Sequence, residues 1–195
     1  TWPEEYGGAG ATMAHQVVID QELDKRGLVG VFDFVGVGMI GPTLLAHGTP
    51  SQCRRYLRPI RRAEEVWCQL LSEPGAGSDL AAVQTRARRP QNGSWIVNGQ
   101  KVWTSFARHA AFGILLARTD PDAAKHKGLT TFIVPMRADG VTIRPLRQIT
   151  GDAEFNEVFL DGVRLVDAQR LGAVGEGWRV AVTMLGFERL AVGSG

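Results

Sequence analysis

The sequence predicts an α+β protein whose helices and sheet occupy separate stretches of the chain. Three observations carry that reading. Residues 1–63 show helical periodicity with cap and stop signals, residues 64–172 break into short apolar runs between turn residues, and the segment from 173 to 195 turns helical again.

In the first stretch, Ala11 to Arg26 places Met13, Ala14, Val17 and Val18 on one helix face and is stopped by Gly27. Thr49-Pro50-Ser51-Gln52 opens a second helix, with Thr as N-cap, Pro in the first turn and Gln placed to return the bond. Between them, Val31 to His47 is apolar and carries Gly36, Gly38 and Gly41. Glycines weaken a helix, so they imply close backbone packing or a bound group; close packing is the simpler reading. In the second stretch a strand beginning at Trp67 runs into a glycine-bearing turn. Asn98-Gly99 between Trp95-Ile96-Val97 and Lys101-Val102-Trp103 predicts a β-hairpin, because that dipeptide accepts the positive φ of a tight turn. Ala111 to Ala117, Leu129 to Val134, Val141 to Ile143 and Phe155 to Leu160 are further strands, and polar Thr119 to Lys127 is an exposed loop. After Gly172, Ala181, Met184, Leu185 and Glu188 recur at helical spacing.

Composition narrows the function classes. The 195 residues are 44% hydrophobic and 22% charged, as in an ordinary soluble globular chain holding one domain or a domain with partial neighbours. A formal net charge of +2 gives no case for nucleic acid. The clusters Arg54, Arg55, Arg58, Arg61, Arg62 and Arg86, Arg88, Arg89 read as solvated faces before anion sites. Cys53 and Cys68 lack metal-ligand spacing, so no metal is expected and a reduced intracellular chain is the default. No run has the length of a membrane span, and no leader opens the chain. Starting at Thr1-Trp2-Pro3 and stopping at Gly193-Ser194-Gly195, it reads as a fragment.

Three segments can carry chemistry. Trp67 to Asp79 ends in Glu73-Pro74-Gly75-Ala76-Gly77-Ser78-Asp79, where small residues admit a ligand to the backbone and amides with a hydroxyl can cradle phosphate; a plain turn is the alternative. Trp103-Thr104-Ser105 offers a ring to stack on a planar group and hydroxyls to bond its edge, or is a core Trp with surface hydroxyls. Glu188-Arg189 sets a carboxylate beside an apolar stripe, where desolvation strengthens a base, or is a structural ion pair.

In this order the segments resemble the acyl-CoA dehydrogenase family along nearly the whole chain. Trp2-Pro3-Glu4-Glu5-Tyr6-Gly7-Gly8, the segment Leu71 to Asp79, Gly99 to Ser105, Gly128 to Val134, Phe155 to Asp161, Gly175-Glu176-Gly177-Trp178 and Glu188-Arg189 follow the family's sequence of motifs. The resemblance implies a helical N-terminal domain (1–63, partial), a β-barrel-like middle domain (64–172) and the start of a C-terminal helical bundle (173–195). It implies FAD as cofactor. Gln69, Leu70, Leu71 and Ser72 would border the flavin ring, Gly77 and Ser78 the pyrophosphate, and Trp103, Thr104 and Ser105 the isoalloxazine. Ser78 and Arg189 would also touch the acyl-CoA.

The implied reaction is α,β-dehydrogenation of an acyl-CoA thioester to the trans-2-enoyl-CoA. A carboxylate takes the α proton, and hydride passes to flavin N5. Glu188 is the candidate base, with a carboxylate further downstream as the alternative. Implied partners are an electron-transfer flavoprotein and further subunits, usually in a tetramer; the implied compartment is the cytoplasm, or the mitochondrial matrix in a eukaryote. A flavin monooxygenase or oxidase, and a catalytically silent subunit of a hetero-oligomer, are the competing readings. Two departures stand out: Val163-Arg164-Leu165-Val166 lacks a Pro usual in this stretch, and Gln69 stands where many relatives carry an aromatic.

Overall fold

The structure, a computed structural model, describes residues 1–27, 34–90 and 93–192. Its elements are helices α1 (Met13–Asp24), α2 (Gly41–His47), α3 (Pro50–Arg61) and α4 (Gly177–Val192), with a π-helical segment Phe34–Ile40 leading into α2. The strands are β1 (Trp67–Leu70), β2 (Arg86–Arg88), β3 (Trp95–Ser105), β4 (Phe112–Arg118), β5 (Leu129–Pro135), β6 (Val141–Leu146), β7 (Phe155–Leu165) and β8 (Arg170–Leu171). Helix, then sheet, then helix is the predicted α+β order.

The two predicted N-terminal helices form, with different outcomes. Thr49 Oγ1 accepts from the Gln52 amide at 3.2 Å, and Gln52 Oε1 accepts from the Thr49 amide at 2.9 Å, so the expected capping box closes. Gln52 then donates to the carbonyls of Ala168 and Arg170, both at 2.9 Å, which ties α3 to the sheet domain. Helix α1 is capped from one side only, the Thr12 amide donating to His15 Nδ1 at 3.3 Å, and it buries no residue. Its expected apolar face is exposed, Met13 by 66%, Val17 by 50% and Val18 by 58%. Caps and periodicity define a helix locally; burial needs a second surface. Of the expected apolar stretch from Val31, residues 31–33 lie outside the described part.

Strand order is β6-β7-β3-β2-β4-β5-β8, with β1 paired in parallel to β4 off this path. Among the described residues the path ends at β6 and β8, so the sheet they form is open and does not close into a barrel. Alternation along β4 divides the interior in two. Ile114 and Leu116 face a core shared with α2, α3 and α4, whereas Leu115 and Ala117 face a second core with Trp95, Phe132 and Val158. The predicted hairpin at Asn98-Gly99 is absent: β3 runs unbroken from Trp95 to Ser105. The dipeptide serves an irregularity in the pairing with β7. There, the Gly162 amide donates to Asn98 Oδ1 at 2.9 Å, and a Cβ on Gly99 would lie 2.3 Å from Thr85 Oγ1.

Most of the arginine clusters are solvated, as expected. Arg54, Arg58 and Arg61 are exposed; Arg55 forks onto Glu65 at 3.0 and 2.8 Å across the surface.

Candidate functional site

Strand β1 and the residues just after it bond to both β3 and α4. Leu70 and Leu71 are buried, while Gln69 and Ser72 are half-buried. The Ser72 carbonyl accepts from the Val102 amide at 2.9 Å, which fixes the end of β1 against β3. The chain then turns tightly, with Glu73 and Ala76 exchanging backbone bonds at 2.9 and 3.0 Å. Neither Gly75 nor Gly77 is held by packing: a Cβ at either would meet nothing within 4 Å. Both have room for a ligand on the side where a side chain would stand.

The second segment sits on the other irregularity of β3. Lys101 pairs with Val158 and Thr104 with Asn156, so β3 carries an extra residue here. Trp103 takes it up in a left-handed conformation (φ 59°) and stands 62% exposed, its ring edge-on to Phe155 with centroids 6.1 Å apart. A bulky residue at positive φ is a strained conformation that favours re-aiming a side chain over packing it. Thr104 turns inward instead, and its buried Oγ1 has no hydrogen-bond partner. Ser105 is half-buried. An exposed aromatic face, half-buried hydroxyls and open glycine positions fit a planar cofactor carrying phosphates.

The third segment arrives on α4. Gly177 lets the helix start touch the sheet, since a Cβ there would fall 2.5 Å from Thr130 Cα; the Gly175 amide donates to Thr130 Oγ1 at 3.0 Å. Val180, Ala181 and Met184 bury against the sheet, and Thr183 Oγ1 meets His47 Nε2 at 2.8 Å. One turn further on, Glu188 is half-buried and its Oε2 accepts from Gln69 Nε2 at 3.4 Å, across 119 residues of sequence. Gln69 therefore faces the candidate base.

The structure thus joins Ser72 to Val102, the neighbour of Trp103 in sequence, and Gln69 to Glu188. Ser78 and Arg189 are exposed, and neither is drawn into these contacts. Asp79, beside Ser78, pairs with Lys125 of the polar loop. The missing Pro leaves no gap at the end of β7: the Val166 amide donates to Gln169 Oε1 at 2.8 Å, closing a short 3-10 turn at Asp167–Gln169. Among the described residues no group of His, Cys, Asp and Glu could hold a metal ion. No helix there is long and apolar enough to cross a membrane.

Sequence reasoning missed an ion pair. Lys101 is fully buried and its Nζ donates to Glu73 Oε1 at 2.8 Å, to the Leu71 carbonyl at 2.9 Å and to the Leu116 carbonyl at 2.8 Å. Its partner lies 28 residues away, beyond the reach of any local pattern.

Comparison with known proteins identifies the family. The family description "Acyl-CoA dehydrogenase, N-terminal domain" matches residues 1–64, and "Acyl-CoA dehydrogenase, middle domain" matches residues 68–163. The chain belongs to the acyl-CoA dehydrogenase family. It is 54% identical over 194 residues to acyl-CoA dehydrogenase FadE34 of Mycobacterium tuberculosis, covering all of this chain and 27% of that protein. To acyl-CoA dehydrogenase IpdE1 of the same organism it is 49% identical over 188 residues, covering 96% of this chain and 49% of the relative. The solved Tcur3481-Tcur3483 steroid ACAD superposes with a TM-score of 0.88 at 38% identity, over 98% of this chain and 49% of that one. The chain therefore spans about half or less of these acyl-CoA dehydrogenases.

Proposed function

We propose that the complete protein is an FAD-dependent acyl-CoA dehydrogenase and that this chain supplies the flavin-binding wall of its site. The contact between Gln69 and Glu188 carries the proposal, because it joins the glycine-bearing segment to a carboxylate on another element. The half-buried carboxylate is the base that takes the α proton of an acyl-CoA thioester, with Gln69 Nε2 orienting it. FAD, when bound, supplies the acceptor for the β hydride. The main chain of Gln69, Leu70, Leu71 and Ser72 borders the ring, Trp103 offers its flat face, and Thr104 and Ser105 offer hydroxyls. Gly77 and Ser78 lie toward the phosphates, and Ser78 and Arg189 toward the CoA portion. A closed, water-poor site would strengthen the hydrogen bonds that polarise the thioester as enolate charge grows.

Replacing the base tests this directly. Glu188→Gln in the full-length protein is expected to leave FAD content unchanged and to slow substrate bleaching of the flavin by about 10²–10⁴. Unchanged bleaching would move the base to a downstream carboxylate and sink its assignment to Glu188.

The substrate class is proposed as a CoA thioester with a steroid-type acyl group, since one relative is named a steroid ACAD. Turnover compared on a short fatty acyl-CoA and a steroid side-chain CoA decides it; preference for the short chain rejects it. An electron-transfer flavoprotein is the proposed electron acceptor, and slow reoxidation of substrate-reduced protein by oxygen would separate this from an oxidase. Another relative is the ChsE4-ChsE5 complex of Mycobacterium tuberculosis, which favours a second reading of this protein as one subunit of a hetero-oligomer. Mass measurement of the full-length protein, alone and with a candidate second subunit, checks that reading. The domain division proposed remains 1–63, 64–172 and 173–195.

A further inference from the structure

The Lys101–Glu73 pair has no role in the chemistry above, and as a source of stability it is hard to explain. Taking both charges out of water costs several kcal/mol each, and apolar residues of similar volume often do as well. Its bonds, however, converge on one place. The three N–H groups of Lys101 are all used, on the Leu71 carbonyl, on Leu116 of β4 and on Glu73. The Glu73 carboxylate accepts in addition from the amides of Gln84 (2.6 Å) and Thr85 (2.9 Å), just ahead of β2. The next residue along β3, Val102, holds the Ser72 carbonyl, and the residue after that is the left-handed, exposed Trp103.

We propose that Lys101 and Glu73 are positioning residues: their buried pair locks the main chain of Leu71 and Ser72 in the orientation that borders the flavin and sets it against Trp103. This rests on the flavin reading. Neither side chain touches the ligand; each acts through the backbone it holds.

The pair also gives the lock a pH signature. Burial pushes the Lys101 ammonium down to about 8 from an ordinary 10.5, although the Glu73 carboxylate opposes the shift. Burial likewise favours the neutral acid of Glu73, but Lys101 and the bonding amides hold its carboxyl below the usual range. Glu73 is the charged group facing Lys101; its other two partners are the carbonyls from the end of β1 and from β4. With its folded value below its unfolded one, Lys101 adds to folding stability as pH rises from about 8 toward 10.5. Loss of the ammonium in that window therefore loosens the lock without unfolding the protein.

The test uses full-length protein as wild type, Lys101→Met and the double variant Lys101→Met with Glu73→Gln, which removes both charges. FAD dissociation constants and visible flavin spectra are measured from pH 7 to 9, with the melting temperature of each apoprotein alongside. The expected result is FAD affinity weakened about ten-fold or more in both variants at pH 7, with a shifted flavin spectrum. Wild-type affinity should fall through about pH 8 while that of Lys101→Met stays flat, and the double variant should melt close to the wild type. Unaltered affinity and spectrum in both variants overturn the proposal and leave the flavin reading standing. A loss of affinity matched throughout by loss of apoprotein stability also overturns it, as a merely structural role. A wild type that takes up no FAD overturns both.

Discussion

Strand β3 is interrupted twice against β7, and the two interruptions have opposite structures. At the first, Val97 pairs with Val163 and Gly99 with Leu160, so the extra residue lies on β7 and β3 stays smooth. Its gap is closed from within, by Thr85 against Gly99 and by Asn98 holding Gly162. At the second, the extra residue lies on β3, and the strand places a large ring in the open at a strained backbone angle. One irregularity completes the packing of the sheet; the other gives up local comfort to present a surface. Bulges of the second kind are where function is expected.

Substitutions can break this contrast. Gly99→Ala should have the largest effect, lowering unfolding free energy by about 3 kcal/mol in a denaturant titration, because its Cβ would press on backbone at Thr85 Cα. Asn156→Leu comes next at about 2 kcal/mol: its buried Nδ2 donates to the carbonyls of Thr104 (2.9 Å) and Glu154 (3.1 Å), which would be left unpaired at the second bulge. Asn98→Ala removes one exposed bond and should cost about 1 kcal/mol by the same titration. Trp103→Gly should have the smallest effect on stability and the opposite sign, a gain of about 0.5–1 kcal/mol as the left-handed angle becomes unstrained. The same variant should fail to retain FAD on gel filtration. A destabilised Trp103→Gly would mean that the ring is structural, and the contrast between the two bulges would fall.

Legibility followed the range of the interaction. The capping box at Thr49 was readable because both partners lie within one helical turn. The strands and the amphipathic stripe of α4 were readable from their periods. Asn98-Gly99 misled, since here Asn98 serves as an acceptor for the Gly162 amide and Gly99 makes room for Thr85, roles that only the pairing with β7 reveals. Periodicity also marked an apolar face on α1 without any sign that it would stay exposed. Of the candidate site, the sequence named the segments and the resemblance named their roles. Neither placed Gln69 against Glu188 or gave Glu73 to Lys101.

By itself the sequence determined the α+β order, the start of α3, the loop at Thr119 to Lys127 and the three segments able to carry chemistry, because all of these depend on neighbours a few residues apart. Tertiary structure alone decided that β3 is continuous, that the sheet stays open, that Trp103 points outward and that a buried ammonium holds Leu71. The reason is physical: those outcomes depend on burial and on partners 28 to 119 residues away, where the free energy of a contact is set by the surfaces that fold together.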